Sequence, residues 1–167
     1  MNDVGRGYYK ANADEKTVAA RQTALDNYHQ NMDDLSAKLL AGGVKRLVYV
    51  TPSPYDDTAQ LEAENFAGVN GALAQCGRYG AELATKYGGS LIDLNGPMTA
   101  LNQAHQQADP KFTLIGPDRV HPGDVGMMVI AYTFLCAQGA PALVSSVSVD
   151  GTTGTLTAAE NATVTNI

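Results

Sequence analysis

Two long stretches of the chain place apolar side chains at steps of three and four, the spacing that puts them on one face of a helix. The first runs from Glu15 to Leu40 and ends at Gly42-Gly43, and the second ends at Gly88-Gly89, because glycine accepts the left-handed backbone of a helix stop. Four glycines inside the second stretch indicate either a weak helix or close packing against a sheet. The apolar positions of the two stretches are Val18, Leu25, Tyr28, Met32, Leu35 and Leu39, then Phe66, Val69, Leu73, Cys76, Leu83 and Tyr87.

Shorter segments that follow the two helices are rich in β-branched or apolar residues and are typical of strands. They are Val44–Thr51 and Ser90–Leu94. A third helix is expected over 97–108, since Pro97 suits the first helical position. The last helix runs from about Gly123 to Gln138 and is apolar on most sides, so we expect it to be buried. Strands that alternate with helices predict a layered α/β sheet with parallel strands.

The composition changes after Pro141. Residues Leu143–Asn166 are rich in Ser, Thr and Val, alternate as hairpin strands do, and contain the turn pair Asp150-Gly151. We therefore predict one domain over residues 1–140 and the start of a β-rich tail or appended β domain over 141–167.

Charge and cysteine content exclude several function classes. The net charge is -6 and no Lys/Arg cluster is present, which argues against nucleic-acid binding. Cys76 and Cys136 fall in apolar helical patterns, which favours two buried free thiols over a disulfide. Without a Cys-x-x-Cys pair, neither a zinc site nor a redox site is supported. The longest apolar stretch, Val125 to Cys136, is too short to span a bilayer.

Candidate chemistry lies in Asp118-Arg-Val-His121-Pro122, just before the last helix. Histidine is the usual base at neutral pH, and an Asp within one turn of it can fix its tautomer and stabilise the imidazolium. The alternative is an Asp that caps a helix, with the His satisfied in the same turn. The other two histidines, His29 and His105, lack carboxylates at metal-ligand spacing and are expected on the surface.

With Met1-Asn2-Asp3 at the start, the chain resembles the SGNH, or GDSL-like, hydrolases. Asn2-Asp3 matches their Gly-x-Asn-Asp block without its Gly, and Asp118-Arg-Val-His121-Pro122 matches their Asp-x-x-His block in full. The resemblance covers residues 1 to about 140 and implies a flavodoxin-like, three-layer α/β/α fold. It makes Asn2 an oxyanion-hole donor, His121 the base and Asp118 its orienting partner. No metal or organic cofactor is implied.

The family's nucleophile block, Gly-Asp-Ser, is absent from the sequence, as is the block that supplies a second oxyanion donor. Ser53, in the loop after the first strand, fits a turn better than a nucleophile. We therefore expect a C-terminal portion of an SGNH esterase that lacks the N-terminal strands and is inactive alone. Its first strand would have an unpaired edge open to self-association, unless the segment 143–166 covers it.

The substrate implied by the resemblance is a small acyl ester, with acetyl groups on carbohydrate as the leading candidate. Arg6, Tyr8 and Tyr9 follow Asn2 and are candidate substrate contacts, because Arg can hold a carboxylate and Tyr can stack on a sugar face. For the full-length protein we expect secretion or a periplasmic location. Two alternatives stay open: a non-catalytic binding module on the same scaffold, and a metal-assisted hydrolase that uses Asp118 and His121 as ligands.

Overall fold

The computed structural model describes residues 2–165, so Met1, Asn166 and Ile167 lie outside the described part of the chain. A short 3₁₀ helix, Arg6–Tyr9, precedes four α-helices and two pairs of strands. In chain order these are α1 (Glu15–Ala41), β1 (Val48–Val50), α2 (Val69–Tyr87), β2 (Ser90–Ile92), α3 (Asn95–Gln106), α4 (Asp124–Ala137), β3 (Ser146–Val149) and β4 (Leu156–Glu160). The chain divides into two compact units between Phe134 and Leu135.

The two long helices form where the apolar periodicity predicts them. The carboxylate of Asp14 caps the start of α1 by accepting a hydrogen bond from the backbone N–H of Thr17 at 2.7 Å. At its end Gly43 has φ +93°, and Gly88 ends α2 with φ +64°. Both values lie in the left-handed region that glycine tolerates.

The strands β1 and β2 pair in parallel, with Tyr49 opposite Leu91. Each has three residues, so both are shorter than the segments 44–51 and 90–94 that the sequence predicts. The Cβ that an alanine at Gly77 would carry lies 3.0 Å from the methyl carbon of Thr51, directly after β1. The close approach of α2 to the sheet therefore explains Gly77, and Gly80 also faces the sheet, because its Cβ would lie 3.5 Å from Leu91.

Helices cover both faces of this sheet. On one face Tyr49 packs with Leu83 and Ala84 of α2 and with Met32 of α1. On the other face the buried side chain of Ile92 joins a cluster built from α3, α4 and the segment before the Asp118 turn. The first unit is thus an α/β/α sandwich, as the resemblance implies.

The structure corrects the expectation that the last helix is buried. Only Gly126 of α4 is buried, while Val129 and Ile130 are partly buried against the sheet. The other side is open, and Met128 is 72% exposed. Cys136 is exposed as well, so only Cys76 is a buried free thiol. No helix among residues 2–165 is both long and apolar enough to cross a membrane.

The second unit contains the hairpin that the sequence predicts. Strands β3 and β4 are antiparallel, with an irregularity between Ser148 and Val149. The Asp150 carboxylate accepts hydrogen bonds from the N–H groups of Thr152 and Thr153, which closes the turn. That residues 141–167 begin an appended β domain stays a prediction.

Candidate active site

Asp118 and His121 lie together in a tight turn directly before α4. One carboxylate oxygen of Asp118 accepts hydrogen bonds from the backbone N–H groups of Val120 and His121, each at 3.0 Å. The other carboxylate oxygen lies 2.5 Å from Nδ1 of His121. The bond to Nδ1 leaves Nε2 of the ring available, and the His121 side chain is 82% exposed.

These bonds set the charge state of the pair. They lower the pKa of Asp118 to about 2, and the largest cause is the backbone N–H of His121, followed by its side chain and by the N–H of Val120. At neutral pH Asp118 is therefore an anion directly beside the imidazole. A carboxylate in that position favours the Nδ1–H tautomer of the ring and stabilises the imidazolium.

The turn is held by the chain on both sides of it. The N–H of Gly116 donates to the carbonyl of His121, and Ile115 and Pro122 form an antiparallel bridge. Ile115 is buried in the cluster on the α4 face of the sheet. Asp118 and His121, which together form the dyad, thus lie on a short loop whose two ends are bonded to the rest of the fold.

A cavity of about 640 Å³ lies against this turn. His121 and Val120 form part of its wall, and the segment that contains Asn2 forms the rest. The lining residues are Asn2, Asp3, Gly5, Arg6, Gly7, Tyr8, Val120 and His121. The structure therefore brings Asn2 and His121 to one cavity, and none of the lining residues is a serine or a cysteine.

Local hydrogen bonds and one buried side chain hold the Asn2 segment. The carbonyl of Asn2 accepts from the N–H of Gly5 at 3.1 Å, and Gly5 takes φ +61°. Between them Val4 is buried in a cluster with Tyr55 and Phe66. The backbone of Asn2 is therefore bonded to a turn that the buried side chain of Val4 anchors in the core.

The three candidate substrate contacts have different surroundings. Arg6 and Tyr8 line the cavity, and the Arg6 guanidinium lies 5.2 Å above the ring of Phe66. Tyr9 does not line it. Its side chain is 8% exposed, packs in the core beside Val4, and carries the Arg21 guanidinium 4.5 Å above its ring. Tyr9 is therefore a core residue, and the prediction that it contacts substrate is corrected.

Two buried charged residues beside the site were missed by the sequence analysis. Arg119, inside the Asp-x-x-His block, is 3% exposed and reaches into the segment that follows β1. Asp56, in that segment, is also buried. Burial alone raises the pKa of Asp56, but hydrogen bonds from Thr113, Ala59 and Thr58 outweigh it and lower the pKa overall. Nothing in the sequence distinguishes these residues from solvated charges.

The remaining histidines do not join the site. His29 stacks on Tyr79 with ring centroids 4.2 Å apart, and His105 packs on Phe112. Ser53 is partly buried in its loop and does not line the cavity. Among residues 2–165 no three His, Cys, Asp or Glu side chains cluster as metal ligands do.

Comparison with known proteins adds structural relatives. No protein-family model matches the chain, and no curated protein does. A gut microbial diltiazem-metabolizing enzyme is 35% identical with a TM-score of 0.79, over 99% of this chain and 37% of that one. An alpha/beta hydrolase from the metagenome of Lake Arreo, Spain, is 25% identical with a TM-score of 0.53, over 70% of this chain and 48% of that one.

A third solved structure is an acetylxylan esterase from Geobacillus stearothermophilus, a catalytic mutant in which a serine is replaced by alanine. It is 22% identical with a TM-score of 0.59, over 83% of this chain and 55% of that one, so it supports the fold alone. The chain has the fold of SGNH-type esterases. It spans about a third to a half of the length of the first two relatives, 37% and 48%.

The order of the candidate site residues along the chain is that of the family's sequence blocks. Asp118 and His121 follow the sheet strands in the chain and precede the last helix of the sandwich, and the Asn2 segment comes before all of them. The α/β/α layers and the block order agree with the resemblance.

Proposed function

We propose that this chain forms the acid–base and oxyanion part of an ester-hydrolysing site. The observation that carries the proposal is that Asn2 and His121 border one cavity, while Asp118 holds Nδ1 of His121 from behind. Nε2 of His121 would take the proton of an attacking hydroxyl and later return it to the leaving alcohol. The side-chain amide of Asn2 would donate to the oxyanion of the tetrahedral intermediate.

The attacking hydroxyl would come from outside the described residues. No serine lines the cavity, and Gly-Asp-Ser does not occur in the sequence. In the acetylxylan esterase with this fold the catalytic mutant replaces a serine, and the proposal carries that role over to a serine here. The present chain alone would therefore bind ester without cleaving it by a covalent route.

The substrate class follows from the cavity wall and from the neighbours. Acetyl xylan esterases are among the structures with this fold. The exposed ring of Tyr8 offers a face on which a sugar can stack, and Asn2, Asp3 and Arg6 offer polar groups around it. An acetylated carbohydrate is thus the ester that this wall suits best.

Turnover of p-nitrophenyl acetate, with and without a serine-directed phosphonate, tests the missing nucleophile. We expect no phosphonate-sensitive turnover by residues 1–167. Robust turnover that the phosphonate abolishes would overturn the proposal and assign the attack to a serine of this chain, with Ser53→Ala as the first variant to examine.

Binding tests the rest of the site. Acetylated xylobiose, titrated into ¹⁵N-labelled chain, should shift the amide signals of residues 5–8 and of Val120 and His121, and His121→Ala should weaken the response. Deacetylated xylobiose is the matched control. Equal binding of both sugars, unaffected by His121→Ala, would favour the alternative of a non-catalytic binding module.

A further inference from the structure

Arg119 lies between the two residues of the dyad and has an unusual conformation. Its φ is +65°, in the left-handed region that residues other than glycine rarely adopt. That backbone turn lets a single oxygen of Asp118 accept from the N–H groups of both Val120 and His121. The same turn aims the second oxygen of Asp118 at the His121 ring.

The side chain of Arg119 is bound on all sides by another segment of the chain. Its Nε donates to the carbonyl of Ala63 at 3.0 Å, and one terminal nitrogen donates to the carbonyls of Asp56 and Ala59, both at 2.9 Å. The second terminal nitrogen donates to the carbonyl of Leu61 at 3.2 Å. A planar fork of five N–H donors suits such a set of carbonyls, whereas a lysine ammonium has three donors.

The backbone completes the connection. The carbonyl of Arg119 accepts from the N–H of Asp56 at 3.1 Å, and the N–H of Arg119 donates to Gly116 at 2.9 Å. The neighbouring side chain of Val120 packs against the core cluster that also holds Tyr55 and Phe66. The turn that carries the dyad is therefore tied to the segment 56–63, which lies after β1.

We propose that Arg119 is a positioning residue that holds Asp118 and His121 in their mutual geometry by clamping their turn to the carbonyls of residues 56–63. The residue does not touch the cavity, so it acts through Asp118 and His121. Its relevance to catalysis rests on the proposed function, but the clamp itself can be measured without any turnover.

The test follows the carboxyl group of Asp118 by ¹³C NMR during an acid titration of the labelled chain. The parent chain should titrate with a pKa of about 2. In Arg119→Gly and Arg119→Ala the pKa should rise towards the ordinary 3.8, by roughly one unit or more. Glycine adopts φ +65° without strain, so this variant removes the side-chain bonds of Arg119 without straining the turn, whereas alanine adds strain at that φ. Arg119→Lys should restore part of the shift.

Tyr55→Phe is the matched control. It removes a hydroxyl that bonds Glu64 and Phe66, so it loosens the neighbouring part of the same segment without touching the turn. We expect the pKa of Asp118 to stay at about 2 in this variant. An equal rise in the control would mean that general loosening, and not the clamp, moves the carboxyl group, and would overturn the proposal.

An unchanged pKa in folded Arg119→Gly and Arg119→Ala, with folding checked by circular dichroism, would also overturn it, because Arg119 would then brace only the loop. If both variants fail to fold, Arg119→Lys decides. The clamp would be contradicted if Arg119→Lys had the same Asp118 pKa as the parent chain and the same amide shifts at Val120 and His121. Failed ester hydrolysis would bear on the proposed function alone.

Discussion

At the scale of single residues, the strongest electrostatic feature of the site is the anionic Asp118. Its pKa lies at about 2, so the folded turn binds a proton less readily than the unfolded chain does. A depressed carboxyl pKa contributes stability that is fully present above the unfolded value and is lost as the pH falls through the folded value.

We therefore predict that the turn stays intact at neutral pH and opens in acid, between about pH 4 and pH 2. The amide signals of Val120 and His121 should move together in that window, because both N–H groups lose the same acceptor oxygen. Asp118→Asn should remove the transition. The amide of Thr152, bonded to Asp150 in the other unit, gives an internal reference that Asp118→Asn should leave unchanged.

The two cysteines should differ in reactivity. Cys76 is buried in the core, and this burial raises the pKa of its thiol to about 11, whereas Cys136 is exposed. Since the thiolate is the reactive form, we predict that Ellman's reagent at pH 8 modifies one thiol quickly and the second only on unfolding. Cys136→Ser should remove the fast phase. A fast phase that persists in that variant would show that Cys76 is accessible.

At the scale of elements, the contact between α2 and the sheet depends on Thr51. Its hydroxyl donates to Asp93 at 2.9 Å and accepts from the N–H groups of Leu94 and Asn95. These bonds fix the rotamer of Thr51, so its methyl group cannot move away from α2. A Cβ at Gly77 would lie 3.0 Å from that methyl carbon.

Gly77→Ala should therefore destabilise the fold, by about 1–3 kcal/mol for the overpacking, less the better helix propensity of alanine, about 1 kcal/mol. Gly71→Ala on the same helix is the matched control. Nothing lies within 4 Å of its Cβ, so it should stabilise by about 0.4–1 kcal/mol. Denaturant unfolding of both variants measures the difference. Equal effects would show that Thr51 yields to the new methyl group.

The elements also show how far the sequence alone predicts this fold. The sequence predicts both ends of α1 and the end of α2 closely, because long amphipathic periods and terminal glycines are local signals, whereas α2 begins at Val69, after Phe66 of the predicted pattern. The prediction that α4 is buried is wrong. An apolar residue pattern on most sides of a helix indicates that some side packs against the protein, but it does not show which side.

The candidate site was predictable only as far as its chemistry is local. The Asp118–His121 contact follows from a three-residue spacing, and its approach to Asn2 follows from the family resemblance. Burial of Tyr9 and the bonds of Arg119 to residues 56–63 arise from contacts between distant segments. No periodicity or motif in the sequence encodes such contacts.

At the scale of the whole molecule, the open surfaces of the first unit decide how the protein behaves in solution. The carbonyl of Leu47 and the N–H of Thr51 bond to β2. By the alternation of a parallel ladder, the N–H and C=O groups of Val48 and Val50 then point to the opposite edge. Among residues 2–165 no strand pairs with that edge. The Val50 side chain is 44% exposed, and the apolar outer side of α4 is open as well.

Unpaired strand edges recruit further strands, and exposed apolar patches favour association. We therefore predict that the chain self-associates as its concentration rises, and that Val50→Lys, which places a charge on the edge, shifts size-exclusion profiles towards monomer. Met128→Lys places the charge on α4 instead, so comparing it with Val50→Lys shows which of the two surfaces drives association. Val18→Lys on the exposed side of α1 controls for added charge.

Hydrogen exchange tests the strand edge directly. The amide of Thr51 should be protected, and the amides of Val48 and Val50 should not. A stable monomer in which Val48 and Val50 are as protected as Thr51 would contradict this prediction, because that edge would then already have a partner.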